Sequence, residues 1–516
     1  MILALILTFL ENQLLLTPVG FKPGFLFLYI LNLIVVGLFY TVITYMNDKD
    51  FGEGVLGKAS FVFLGGAVVL LVILLVGLLF QSPIFNSSDY RDCIQIVEHT
   101  EEELKDSIPS IEDINRISLM DTNSAKKLGD RTLGGLTDVV SQYRVGEYYT
   151  ICINGNIKKV APLEYNGFFK WKNNDSIPGY VIVDPLTSEA EYVELEKGMR
   201  YSPSAYFGDD MERHFRNDKM GKYFGDYSFQ LDDEGNPYWV ITTLETKTGW
   251  LNKVPNGVGV MNACNGAIDW YKLEDIPTWV DLVFSGEQIA ELYNRHGKYI
   301  NGFFNFSSTG VTQVTEDYGY IAMGDDIYVY TGVTSVSNDE SNLGFILVNT
   351  RTGVFDYYPI SGAEEYSAMG AAEGIVQNYG YTASFPSLVM IENEPTYVMV
   401  LKDANGLVKQ YAMVNYKNYT VAVVGDTLED CTSKYLKVIT GDLVIEVPEG
   451  TIVIAKIQFV TEDGQTYCYV VGENDKIYKA MFMPLQLRLD VGDTISKDDF
   501  EELEELFKEN IDNSSQ

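Results

Sequence analysis

At 516 residues the chain is too long for one hydrophobic core, because single cores stop growing near about 250–300 residues. Its 72 acidic residues outnumber 37 basic ones, a formal charge of −35 with no evident basic patch, and a field of that sign repels phosphate backbones, so no nucleic acid partner is expected. Five scattered cysteines (Cys93, Cys152, Cys264, Cys431 and Cys468) show no C-x-x-C spacing, which excludes a disulfide framework and a structural zinc site as expectations.

The first segment, 1–21, is apolar but interrupted by the polar run Glu11, Asn12 and Gln13. It has neither the basic start nor the small-residue cleavage site of a signal peptide. An ionisable group inside lipid is costly, so the segment reads as an interfacial or re-entrant piece; the alternative is a third helix packed in a homo-oligomer, with Glu11 functional. Residues 24–46 and 59–80 carry no charge, and each is long enough to cross a hydrocarbon core of about 30 Å. Two transmembrane helices are therefore expected within 22–82, joined by a short polar loop into a hairpin. Lys49 and Lys58 in that loop balance Lys22 and Arg91 on the opposite side, so the positive-inside rule leaves orientation open. A linker with short helices is expected over 83–120.

Four modules of one build are expected at 121–195, 196–283, 284–360 and 361–430: a helix, two strands, then a strand ending in a polar turn residue. The turn residues are Asp184, Asn262, Asn349 and Asn415, spaced 78, 87 and 66 residues apart. Asp or Asn bonds its own backbone two residues on, and Gly266 and Gly353, four positions later, accept positive φ. These corners read as structural. Helix starts are expected at Ser202 with Pro203, burying Phe207, Met211 and Phe215; at Ser285 with Gln288 as a capping box, burying Ile289, Leu292, Tyr293 and His296; and at Ser361 with Glu364, burying Tyr366, Met369, Ala372, Val376 and Tyr379. The first helix, near 123–143, is weakened by Gly129, Gly134 and Gly135, which close backbone packing would explain. Hairpin corners fall at Asn154-Gly155 and at 233–236, and Pro395 aligns with Pro237. The shared order of elements argues for duplication.

A helix followed by a three-stranded antiparallel sheet, whose last strand carries this turn and an aromatic, resembles the PepSY module. The residues that carry the resemblance are Val183-Asp184 to Tyr192, Met261-Asn262 to Trp270-Tyr271 and Val348-Asn349 to Tyr357-Tyr358, and three of the four copies have Asn where the motif has Asp. It covers roughly residues 120–425. The resemblance implies non-catalytic, extracytoplasmic modules of secreted or membrane-anchored proteins that bind or restrain other proteins, peptidases among them.

Residues 431–495 read as short strands of a small OB-like barrel, and 496–516 as an acidic amphipathic helix and tail, with Phe500, Leu503 and Phe507 on one side. His99, His214 and His296 lack metal-ligand spacing, and no Gly-x-Ser-x-Gly, P-loop or His-Glu-x-x-His occurs. The acidic runs Asp209-Asp210, Asp232-Asp233-Glu234 and Asp325-Asp326 lack the alternation of an EF-hand loop and read as solvated turns. No catalytic residue, cofactor or metal is assigned. The expected fold class is membrane-anchored α+β: a transmembrane helical hairpin, tandem helix plus antiparallel three-stranded-sheet modules and a C-terminal barrel. The expected function is a protein-binding scaffold or regulator that presents aromatic sheet surfaces, with the lipid bilayer and a protein as partners. The alternatives are an oligomeric, channel-like transmembrane assembly and, behind it, an envelope hydrolase.

Overall fold

The computed structural model describes residues 1–47, 55–111, 119–336, 341–440, 451–462, 465–472, 476–481, 494–496 and 501–503. Helices Pro23–Asn47 and Val55–Phe80 lie against each other, and their stretches Pro23–Ile43 and Phe61–Phe80 are long and apolar enough to cross a membrane. Few of their side chains pack against protein, which suggests a membrane anchor. Helix Ile2–Leu15 covers only about 21 Å at 1.5 Å per residue; it packs Ala4 against Leu33 and Ala67 of the long pair.

Five successive units follow, each a helix and then a four-stranded antiparallel meander. Their helices are Thr122–Gly134, Met211–Asp218, Gly286–Lys298, Glu365–Ile375 and Leu428–Ile439. Sheet 1 comprises Tyr149–Ile153, Asn156–Tyr165, Ile177–Val183 and Ala190–Met199; sheet 2, Tyr223–Leu231, Pro237–Thr248, Asn252–Asn262 and Ile268–Lys272. Sheet 3 comprises Gly319–Met323, Asp326–Ser335, Gly344–Asn349 and Phe355–Tyr358; sheet 4, Ser387–Ile391, Glu394–Lys402, Val408–Asn415 and Ala422–Gly425. Sheet 5 comprises Thr451–Glu462, Gln465–Gly472, Ile477–Met481 and Glu501–Leu503, with Thr494–Ser496 as a fifth strand beside Thr451–Val453.

Several sequence expectations change here. The sheets have four main strands, not three. The C-terminal piece repeats the helix-plus-meander pattern, and its described residues form an open sheet with no closed barrel. Glu501–Leu503, including Leu503 of the expected tail helix, is a strand beside Ile477–Lys479; Phe500 and Phe507 lie outside the described residues. The second unit's helix starts at Met211 with Asp210 as cap, not at Ser202 and Pro203, and Phe207 is exposed. Ser285 does cap its helix, but the Gln288 side chain closes no box, and its Oε1 is buried without a partner. Glu364 occupies the fourth cap, but its side chain makes no capping bond to that helix. That helix buries Glu365, Ala368 and Ala372, while Tyr366 and Tyr379 are exposed. Gly129 faces the Tyr148 ring and not another backbone.

Strands buried on both faces explain the near-continuous apolar runs. In Gly344–Asn349, Phe345 and Leu347 face sheet 4, while Ile346 and Val348 face sheet 2. Sheets 1 and 2 share a core containing Met211 and Phe215, sheets 2 and 3 one containing Ile289 and Leu292, and sheets 3 and 4 one containing Ala368 and Ala372. Each unit's helix is thus a wedge between neighbouring sheets. Sheet 4 returns to unit 1 through the Lys402–Asp121 ion pair and a 2.7 Å bond from Lys127 Nζ to Asn405 O. The first four units form a ring; three of its junctions are apolar sheet stacks and the fourth, between units 4 and 1, is made by these polar contacts.

The segment between membrane helices and ring is a strap. Ile96–Glu98 adds as a parallel strand to Phe355–Tyr357 at the edge of sheet 3. Helix Glu101–Ser107, closed by a Thr100–Glu103 capping box, sends Leu104 into the core between sheets 3 and 4, and Leu119 reaches the far face of sheet 4.

The four turn residues occupy one position, the corner between third and fourth strands. Each side-chain oxygen accepts two backbone N–H bonds: Asp184 from Leu186 and Thr187, Asn262 from Cys264 and Asn265, Asn349 from Arg351 and Thr352, Asn415 from Lys417 and Asn418. The residue after the Asn then binds the chain leading into its own unit: Ala263 O accepts from Arg200 and Tyr201, and Thr350 O from Val283 and Phe284. Gly353 (φ 69°) seats the Phe284 ring where a Cβ would lie 2.3 Å from it. Gly353→Ala combines left-handed strain with overpacking and is expected to cost about 2–4 kcal/mol in denaturant unfolding. Adding Phe284→Ala should return part of that loss.

Candidate functional site

The first strand of sheet 1 meets the first strand of sheet 2 and the second strand of sheet 3 along the ring axis. One end is plugged by Cys152, Ile157, Ala322 and Ile327. Above the plug, Gln230 of sheet 2 accepts from Asp281 N at 2.7 Å and donates to Leu282 O at 2.9 Å, while Asp281 Oδ2 accepts from Cys152 N at 2.6 Å. Three units are thereby tied at one buried knot. Burial pushes the Asp281 carboxyl well above the usual carboxylate range, against the pull of the Cys152 amide, and Oδ1 has no partner.

The other end opens into a cleft of about 1220 Å³ and, continuous with it, a chamber of about 350 Å³; Tyr148, Tyr149, Tyr318 and Tyr320 line both. These four rings belong to the walls of both a wide vestibule and a smaller chamber, each open to solvent. The vestibule carries Asp130, Glu147, Glu164, Glu212, Asp226 and Glu287 against Lys126, Arg144 and Arg216, and Leu16 beyond the first helix also lines it. Burial raises the Glu212 carboxyl, with Asp210 adding to it, and lowers Arg216 to about 10. Arg144 and Glu164 neutralise each other at 2.8 Å.

Lys159 belongs to the smaller chamber. Adjacent residues of a strand point to opposite faces, so the pair Lys158-Lys159 divides: Lys158 turns out to Asp184, and Lys159 turns in and is buried. Its Nζ donates one bond, 3.1 Å to Thr150 Oγ1, on the directly opposite residue of the neighbouring strand. Burial pushes the ammonium from 10.5 down to about 8, with Asp121 opposing. Burial also raises the Asp121 carboxyl, but Lys402 and the Ser124 amide more than reverse this. Asp121 therefore serves Lys402, and Lys159 keeps donor capacity for a group entering from the cleft.

The sequence-derived candidates lie elsewhere. Asp184, Asn262, Asn349 and Asn415 sit at four separate corners. Glu11 Oε2 accepts from Asn32 at 2.7 Å, Asn12 bonds Thr17, and the backbone Gln13 O accepts from Arg213 at 2.6 Å; the Glu11 and Asn12 side chains thus have partners within the chain. His99 meets Asp356, His214 meets Gly266 O and His296 meets Arg91 O. Among the described residues no cluster could hold a metal ion. Of the sheet aromatics, Tyr330, Tyr397 and Tyr416 are fully buried between sheets 3 and 4, while Tyr192, Trp270 and Tyr271 are half-buried.

No protein-family model matches the chain. No curated protein matches it either. Among solved structures it is similar to a putative hydrolase from Bacteroides ovatus (13% identity, TM-score 0.19, covering 77% of this chain and 94% of that one). It is also similar to a levansucrase variant from B. megaterium (10%, 0.20, 82% and 99%) and to an ancestral GH74 enzyme (10%, 0.15, 68% and 43%). Likenesses this slight carry no argument about fold or activity.

A lysine buried at low pKa makes a signed prediction. The unfolded chain holds its proton up to about 10.5 and the folded chain only to about 8, so the penalty of roughly 3 kcal/mol is full below pH 8 and fades as pH rises to 10.5. Lys159→Met should raise the thermal midpoint at pH 7 and do so much less at pH 10, as read by scanning calorimetry of the purified protein. An equal gain at both values would mean that the ammonium is not buried.

Proposed function

We propose that the protein is a membrane-anchored binding protein, a scaffold or regulator and not an enzyme, with the ring outside the cytoplasm and a protein partner entering the axial cleft. The partner delivers a carboxylate or carbonyl oxygen to Lys159 Nζ. The observation that carries this reading is the buried ammonium with spare donors in the wall of an open, tyrosine-lined chamber. A buried donor without its full complement of partners is costly, and an acceptor-bearing ligand offsets that cost. The PepSY-like order of helix, antiparallel sheet and corner turn supports a binding role and the extracytoplasmic placement. The transmembrane-assembly alternative needs Glu11 to act beyond its own chain, and its contact with Asn32 removes that need.

The test is site-specific photocrosslinking in the full chain in cells, with benzoylphenylalanine replacing Tyr318. A discrete adduct is expected, falling at least about tenfold in yield with Lys159→Met, as expected when a charge-assisted bond worth about 1.5–3 kcal/mol is lost. Glu11→Ala should leave the adduct unchanged. An adduct indifferent to Lys159 and abolished by Glu11→Ala would sink the proposal in favour of the membrane assembly.

A further inference from the structure

Charge and apolar exposure are unevenly distributed over this acidic protein. Five segments meet the ends of the N-terminal helices: 17–22, 81–92, 213–223, 247–253 and 295–302. Val19 N donates to Met220 O at 2.8 Å, Trp250 N to Gln81 Oε1 at 2.6 Å, and His296 Nδ1 lies 2.7 Å from Arg91 O. In a chain of net charge −35, these segments hold ten Lys and Arg against three Asp and Glu; Arg216 is buried at the cleft wall and Arg91 and Arg295 are paired with Asp92 and Glu291, which leaves seven for the surface. The expectation of no local basic patch fails here, because the cations are dispersed in sequence and gathered only by folding.

The same face carries apolar side chains that nothing in the chain covers. Phe21 is 87% exposed, and Met220 and Leu251 are exposed beside the bonds just named. Beyond the helix Gly286–Lys298, Gly302 lies near Ser87, and the following loop presents Phe304 and Phe306 at 66% and 86% exposure. Their rings contact each other at 6.0 Å and, through Phe303 and Tyr299, continue to Tyr90 of the helix that follows the second apolar span. Exposed Phe85 lies against Phe80, the last residue of that span.

We infer that this anchor-side face of the ring is a bilayer-docking surface, in which the 303–306 loop enters the interfacial layer and the surrounding cations meet anionic lipid headgroups. Phenylalanines with a basic surround are the composition of an interfacial contact, and the half-buried Trp250 is a residue type of the membrane–water boundary; Lys22 and Lys253 stand 4.5 Å from the buried Tyr223 ring beside it. Continuity with the two apolar spans names the occupant. The ring would then be held at a fixed attitude, and not swing on a tether. The inference rests on the membrane-anchor reading, and the experiment separates the two.

The full chain is reconstituted in nanodiscs whose lipids are brominated near the headgroup end of the acyl chain, and Phe304→Trp and, separately, Val69→Trp are compared with the parent protein. Val69 lies inside the second apolar span. Both added tryptophans are expected to lose about half of their emission or more, and quenching at position 304 should deepen when zwitterionic lipid is replaced by phosphatidylglycerol. Quenching at 69 with none at 304 overturns the docking surface and leaves the anchor standing. No quenching at either position overturns both.

Discussion

Every sheet of the ring has two apolar faces, and neither can be left to water. Gly344–Asn349 buries all six of its residues, alternate side chains on opposite sides. A sheet of this kind must be flanked twice, and in a linear stack the end sheets would fail that condition. Three shared cores flank sheets 2 and 3 on both sides and sheets 1 and 4 on one, and helix Thr122–Gly134 covers the other face of sheet 1. The remaining exposed face, on sheet 4, is covered by helix Leu428–Ile439 and by Leu119 of the strap.

Apolar stacking is tolerant of sliding, and polar contacts buried at the junctions fix its register. Gln230 joins sheet 2 to the segment leading into unit 3. Glu365 accepts from Tyr330 Oη and Gly332 N at the junction of sheets 3 and 4. Tyr435 bonds Thr396 and Asn415 under the last helix, and Lys402 holds Asp121 where the ring closes. Burial raises the Glu365 carboxyl even with these donors, so such contacts cost stability while they specify one arrangement. Lys159 breaks the pattern. It bears the cost of burial without joining two units, which separates it from structural polar groups and makes it the residue around which a ligand is argued.

The repeat was legible because its corner has a local cause. An Asn or Asp that bonds its own backbone, followed by a glycine at positive φ, is written within five residues, and Asn262 to Gly266 and Asn349 to Gly353 both carry it. Helix starts were legible where a short side chain performs the cap, as at Ser285, and misread where a more distant serine offered the same signature, as at Ser202. Tertiary packing decided the rest. Nothing local tells that 501–503 will pair with 477–479, or that a stripe of Tyr366 and Tyr379 will lose its place in the core to Glu365. The Lys-Lys pair in a strand buried on both faces was the one available signal for the smaller chamber, since alternation forces one of the two inward. The basic anchor-side face had no local signal, being assembled from five separated segments.

The strap sets an order in which the chain can become complete. Residues 96–98, Leu104 and Leu119 are made before unit 1, yet their partners belong to sheets 3 and 4, some 250 residues or more downstream. At the usual pace of synthesis that interval is on the order of tens of seconds. Through it, the stretch next to the membrane helices has an open strand edge and uncovered leucines, while units 1 and 2 can already pair with each other. Ring closure is therefore a late, long-range event, and the segment most exposed to mispairing during that wait is the one attached to the anchor.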